Sequence, residues 1–300
     1  MQRSSESAWI LAGLGARLCK TAHMSDAFPR PWADAPAEAL NAVVGVLTDI
    51  DDTLTTGGAL TPEALEALGL LKAAGLPVIA ISGRPLSWSA PFARAWPVDA
   101  IVAENGAVAL FRNAAGGLDI EYAQDEPTRA RNAQRLREVA ARVLREVPGS
   151  ALAQDSAGRV TDIAIDHSEF AHLTPQQIAA TVAVMQSEGM NATVSSIHIN
   201  GWFGTHTKLT GAHWMVRRLL ARDLGAEREY WVYVGDSTND QMMFGHFPLS
   251  VGVANLLDFT EALTVWPAYI TQGARGAGFA EVARRLYPPK PGVDAVRRPA

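Results

Sequence analysis

The sequence predicts an α/β protein, a doubly wound parallel sheet into which a second, α+β unit is inserted. Three observations carry that reading. Wholly apolar, β-branched runs alternate with helix-like segments over 43–110 and again over 209–287. The stretch between them, 112–203, changes to strands that alternate polar and apolar residues. Clusters of polar residues sit where the apolar runs end.

A leader over 1–40 comes first and is expected to be poorly ordered. Its segment "AWILAGLGA" (8–16) is too short to span a membrane, and Glu6 before it with Arg17 and Lys20 after it are unlike a cleaved signal. After the proline-rich "FPRPWADAP" (28–36), "AVVGVLTDI" (42–50) reads as a strand buried on both faces. A helix over 61–75 follows, with Thr61 as N-cap, Pro62 in its first turn and Gly75 as its stop. "LPVIAISGR" (76–84) is a second buried strand, 85–96 a short helix and 98–110 a third strand leading into a turn. This β-α-β-α-β spacing places the functional loops at the carboxyl ends of the strands. The inserted unit contributes helices over 126–147 and 174–189, with alternating strands in 158–167 and 191–201. The first rhythm then returns: a helix over 209–225, a strand over 230–236, a short strand over 250–254 and a last helix over 276–287. The expected domains are a core over 41–111 and 204–288, an insertion over 112–203, and a loose tail over 289–300.

Hydrophobic residues make up 48% of the 300 and charged ones 19%, the balance of a globular chain with a sizeable core. The formal charge of -5 argues against a general nucleic-acid partner, which needs clustered positive charge. No membrane partner is expected either. The single cysteine, Cys19, rules out an intrachain disulfide and a cysteine-rich zinc site, which fits a reducing cytoplasm.

The chemistry begins with Asp49, Asp51 and Asp52, three like charges at the end of the first strand. One aspartate suffices for a cap or a turn. Three repel and raise one another's pKa unless a cation or a set of donors holds them. Taken alone, the stretch fits either an ordinary strand-to-loop turn or a divalent-metal or phosphoryl site. Ser82-Gly83-Arg84, Lys208 and "GDSTND" (235–240) lie at the ends of the other core elements. A sheet that gathers strand ends brings Asp49 and Asp236 together, where two carboxylates and a backbone carbonyl suit Mg²⁺. Ser82 offers a hydroxyl and Lys208 a compact positive charge to a phosphate.

In this order, DxDxT, SGR, a lysine before a helix and GDSTND resemble the haloacid dehalogenase (HAD) superfamily of aspartate-nucleophile phosphatases, over about 43–287. With "ENGA" (104–107) and "KLTGAHWMVRRLL" (208–220), the insertion is similar to the branch with a large α/β cap, called C2B or subfamily IIB. That branch includes Cof-type sugar phosphatases, sucrose-phosphate phosphatase and phosphomannomutase. The resemblance implies catalytic roles for Asp49, Asp51, Ser82 and Lys208. It implies substrate binding by Thr53, Gly83, Arg84, Asn105 and Asn239, and Mg²⁺ held by Asp49, Asp51, Asp236 and Asp240. Asp49 would attack phosphorus to form an aspartyl-phosphate, and Asp51 would serve the leaving group as acid and the hydrolytic water as base. Asp52 stands where glycine is common in the family, so it is expected to point outward or to bond a loop N–H.

The substrate expected is a small phosphorylated metabolite. Asp162, Asp166, His167, Glu169, His198, Asn200, Trp202 and His206 in the insertion either face it or form ordinary half-exposed strand faces. The acidic ones suit sugar hydroxyls better than a second anion, which favours a phosphorylated sugar or polyol. Glycines near 111–117 and 199–206 are the expected hinges of a closing cap. Two other readings stand beside hydrolysis: a phosphomannomutase-like transfer back to a sugar, and a receiver-like phosphoacceptor. Asp51 as acid/base and the roughly ninety-residue insertion, far longer than an ordinary loop, count against the receiver.

Overall fold

A computed structural model describes residues 28–287. The core opens with β1 (Arg30–Pro31), α1 (Ala37–Asn41), β2 (Gly45–Thr48) and a small hairpin, β3 (Thr55–Thr56) and β4 (Ala59–Leu60). It continues through α2 (Pro62–Ala73), β5 (Val78–Ile81), α3 (Leu86–Ala95), β6 (Ala100–Ala103), β7 (Val108–Arg112) and β8 (Leu118–Tyr122). The cap comprises α4 (Glu126–Glu146), β9 (Ala151–Leu152), β10 (Asp162–Asp166), α5 (Pro175–Ser187), β11 (Asn191–Val194) and β12 (His198–Trp202). The chain returns to the core as α6 (Lys208–Leu220), α7 (Leu224–Glu227), β13 (Trp231–Gly235), α8 (Gln241–His246), β14 (Leu249–Gly252), β15 (Tyr269–Ile270) and α9 (Arg275–Leu286).

Nine strands form the core sheet in the order β1-β15-β14-β13-β2-β5-β6-β7-β8. Pairing is parallel from β1 to β6, and antiparallel from β6 through β8. The apolar runs are continuous because both faces are covered. Val46, Val78 and Ala80 pack with α2, α3 and α9, whereas Leu47, Ile79 and Ile81 pack with α6 and α8. Each of the valine, leucine and isoleucine side chains among them contributes about 1.5–3 kcal/mol of burial. The chain runs outward from β2 through β5 and β6, then comes back to build β13, β14 and β15 on the other side. The end of β2 is therefore the switch point of the sheet, the place where a doubly wound fold opens a crevice.

The cap sheet is antiparallel, in the order β11-β12-β10-β9. Its alternation divides the two faces. Ile163, Ile165 and Ile199 pack on Leu136, Val139 and Val143 of α4 and Met185 of α5. Asp162, Asp166, His198, Asn200 and Trp202 take the opposite face, and all five are buried. That face is turned against the core and is not solvated.

Three expectations change here. The leader was expected to stay loose to residue 40, but β1 pairs with β15, and Trp32 is fully buried edge-on against Tyr269. Residues 1–27 of the leader and the tail from 288 lie outside the described residues. The apolar run from Ala107 does not leave the core at 111. It continues as the β7–β8 hairpin, so the crossing into the cap falls at Ala123–Asp125, and the glycine-bearing 113–117 is that hairpin's turn. Residues 191–201 form two strands, because the Ser195 hydroxyl accepts from the N–H groups of Ile197 and His198 and bends the chain back.

Candidate active site

Asp49 leaves β2 at the switch point, and its N–H donates to Val234 O of β13 at 2.8 Å. That bond sets it beside Asp236, which follows β13. Lys208 begins α6 and is 5% exposed. Its Nζ donates to Asp49 Oδ1 at 2.7 Å, to Asp240 Oδ1 at 2.7 Å and to Asn239 Oδ1 at 3.2 Å. Asp240 is held from every side: Tyr233 OH and Lys208 donate to Oδ1, and the N–H groups of Asp236 and Ser237 donate to Oδ2 at 2.9 and 3.2 Å. A side chain at Gly235 would meet Asp240 Oδ2 at 2.5 Å, which is why glycine precedes Asp236. Asp236 accepts from Thr53 Oγ1 at 3.3 Å and from Asn255 Nδ2 at 3.4 Å.

Asp49, Asp236 and Asp240 thus form a buried acidic cluster, each offering an oxygen within 4.8 Å of the others. Three carboxylates face one lysine. Burial pushes the Asp49 carboxyl up to about 7 against the pull of Lys208, with Asp240 and Asp51 adding to the rise. Burial, then Asp49 and Asp240, raise Asp236 well above the usual carboxylate range. Burial alone would depress Lys208, but Asp240 and Asp49 outweigh it and hold it charged. A cluster short of positive charge with hard oxygen donors fits a divalent cation such as Mg²⁺. The lone pairs of Asp240 are already engaged, which leaves Asp49 and Asp236 as the better-placed carboxylate ligands and Asp240 as the group that fixes Lys208.

Ser82 ends β5, and its Oγ accepts the Arg84 N–H at 3.0 Å. Gly83 O receives Arg159 Nη1 at 2.8 Å and Asn200 Nδ2 at 3.3 Å from the cap. Arg84 is turned to carboxylates. Its Nε donates to both oxygens of Asp51 at 3.1 and 3.0 Å, and its terminal nitrogens reach Asp155 at 3.3 Å and Glu169 at 2.9 Å. Burial raises the Asp51 carboxyl above its ordinary value even with Arg84 beside it. Asn105, in the left-handed region at φ 57°, donates to Asp162 of the cap at 3.1 Å. Next to it Glu104, also left-handed and fully buried, accepts from Val160 N, Thr161 N and Thr161 Oγ1 of the cap. Asp52 points away from the cluster, where Arg275 Nε donates to it at 2.8 Å.

The cap residues divide by role. Glu169 joins Arg84 and His198, and lines a 350 Å³ cavity with Asp51, Asp52, Phe170 and Ile197. Asp162 is held by Arg159, Asn105 and Asn200. Asp166 accepts the N–H groups of residues 168–171, and His167 bonds Ser195 O and Ser168 Oγ, so both shape the loop under Glu169. Trp202 donates to His206 O at 2.8 Å and stacks on its ring. The sequence reading passed over Tyr233, Asn255, Glu104, Asp155 and Arg159. Asn255 carried a readable sign, a polar residue just past an apolar strand; Glu104 gains its cap partners only through contacts distant in sequence, and the nearby pairs Asp155–Arg159 and Tyr233–Asp240 read as ordinary local contacts until their burial is known.

Residues 46–125 match the family model for haloacid dehalogenase-like hydrolases. No curated protein sequence matches the chain. Among solved structures the fold is similar to a Thermoplasma acidophilum protein, with TM-score 0.61, 16% identity, and 81% of this chain and 98% of that one covered. It is similar to the sucrose-phosphatase of Synechocystis, solved with sucrose and phosphate, at TM-score 0.57 and 15% identity, covering 81% and 98%. A haloacid dehalogenase-like hydrolase from Bacteroides thetaiotaomicron gives TM-score 0.55 and 16% identity, covering 82% and 100%.

Proposed function

We propose that this chain, with the core and cap of a haloacid dehalogenase-like hydrolase, is a Mg²⁺-dependent phosphomonoesterase that works through an aspartyl-phosphate on Asp49. The observation that carries the reading is the convergence of Asp49, Lys208 and Asp236 at the switch point, with Asp51 two residues on. An Asp49 oxygen forms a bond to phosphorus as the ester P–O bond breaks, and the departing alkoxide takes a proton from Asp51. Water then gives a proton to Asp51 and attacks the same phosphorus, which releases phosphate and restores Asp49. Lys208 and Ser82 hold the phosphoryl oxygens, and Asn239 and Asp240 fix Lys208. Asp49, Asp236 and the Asp51 carbonyl would hold Mg²⁺, whose charge would let a phosphate dianion approach a carboxylate.

The 350 Å³ cavity beside Asp51 takes the leaving group. Its charged wall is Asp51, Asp52, Glu169 and Arg84, and Arg84 is already matched by acids, so a second anionic group is disfavoured. A phosphorylated sugar or polyol fits best. Phosphate release from p-nitrophenyl phosphate and a panel of sugar phosphates, with Mg²⁺ or with EDTA, tests the reading. Release should need the metal, and Asp49→Asn should lower kcat by about 10⁴-fold or more. Metal-independent release that survives Asp49→Asn would refute it.

A further inference from the structure

Among the described residues, Arg84 is the cation that bonds both Asp51 and acids of the cap. Its side chain is 6% exposed and lies over the Trp88 ring, 5.2 Å from the centroid. One edge of the guanidinium, Nε, faces both oxygens of Asp51. The other faces Asp155 and Glu169, which belong to the cap. Those two are themselves held: Asp155 by Arg159, which also bridges to Gly83 O, and Glu169 by His198 Nε2 at 2.9 Å. None of Arg84's hydrogen bonds goes to Asp49, so in this arrangement it is not a clamp on the nucleophile.

Resting on the phosphatase reading above, we propose that Arg84 is a positioning residue that couples cap closure to the placement of Asp51. The guanidinium is a rigid plane, so fixing its terminal nitrogens fixes the direction of Nε. With the cap shut, Asp155 and Glu169 set that plane, and Nε holds the Asp51 carboxylate in one orientation. With the cap open, both acids leave with it. Arg84 then swings on its flexible stem, and Asp51 loses its restraint. Proton delivery to the leaving group is thereby confined to the closed, water-excluding state.

The test uses two esters and first-turnover kinetics in the full-length enzyme with Mg²⁺. Nitrophenolate leaves without a proton, whereas an alkyl or sugar alkoxide needs one from Asp51. In Arg84→Ala, first-turnover cleavage of the sugar ester should fall about 10²-fold further than first-turnover nitrophenolate release does, the lower range for general acid catalysis. Arg84→Lys, which cannot present an oriented edge, should not rescue it. Glu169→Ala should give a smaller loss of the same kind, and adding it to Arg84→Ala should cost nothing more. Equal losses on both esters would overturn the coupling and leave a structural or phosphate-binding role. Losses from Arg84→Ala and Glu169→Ala that multiply would overturn it too. If the wild type cleaved neither ester, the phosphatase reading would fail and take the coupling with it.

Discussion

Asp52 shows how an acidic residue can sit inside the motif without joining the acidic cluster. It adopts φ 54°, a left-handed conformation that glycine reaches at no cost. Its carboxylate is engaged by Arg275, and its carbonyl accepts from Asn255 Nδ2, so both polar groups are satisfied outside the acidic cluster. Asp52→Gly should therefore keep kcat within about threefold of wild type, since the lost pair is a half-exposed one of about 0–1 kcal/mol. Steady-state turnover of p-nitrophenyl phosphate checks this, and a loss of a hundredfold would place Asp52 in the reaction. At this scale the motif residues were readable because their spacing fixed which strand ends they occupy. Asp155 and Arg159 were not, since an acid and an arginine at i and i+4 read as a solvated surface pair until the cap closes over them.

Lys208 owes its position to α6, and α6 owes its position to a close backbone contact. Gly106 has φ 108°, and a side chain there would lie 2.1 Å from Thr207 O, the residue that caps α6. Gly211 on the next turn packs its own missing side chain 2.8 Å from the Gly106 Cα. Gly106→Ala should push the start of α6 outward, cost about 1–3 kcal/mol through overpacking, and lower turnover by misplacing Lys208. Thermal unfolding and kcat measured on the same sample check both effects, and unchanged values would show that the contact is soft. The helices and buried strands were legible at this scale, down to Thr61 at the start of α2 and Glu126–Glu146 as one helix. The β7–β8 hairpin was not, because its first strand, VALFR, is as apolar as the parallel strands before it. Only its pairing partner shows that it turns antiparallel and keeps the core going to Tyr122.

As a whole, the molecule is a core and a cap joined by two crossings, at Ala123–Asp125 and at 203–207, and closed by polar contacts rather than by an apolar interface. Glu104, Asn105 and Gly83 of the core meet Thr161, Asp162 and Asn200 of the cap, and Arg84 completes the closure. His206 lies in the second crossing, buried, and neither ring nitrogen has a hydrogen-bond partner among the described residues. Burial depresses its pKa from 6.5 to about 4. Below pH 6.5 the unfolded chain therefore takes up a proton that the folded one refuses, and stability falls as the pH drops from 6.5 to about 4. The unfolding midpoint should follow that slope, and His206→Phe, which keeps the stacking on Trp202, should flatten it; an unchanged slope would move the effect to other groups. No helix among the described residues is long and apolar enough to cross a membrane. The most direct test of the central claim is to locate the phosphoryl group during turnover. Asp51→Asn, slowed in the hydrolytic step, is mixed with substrate and Mg²⁺, quenched in acid and mapped by peptide mass. One phosphoryl group is expected on the peptide that carries Asp49; phosphate release with that peptide never modified, or a phosphoryl group on another residue, would refute an Asp49 intermediate.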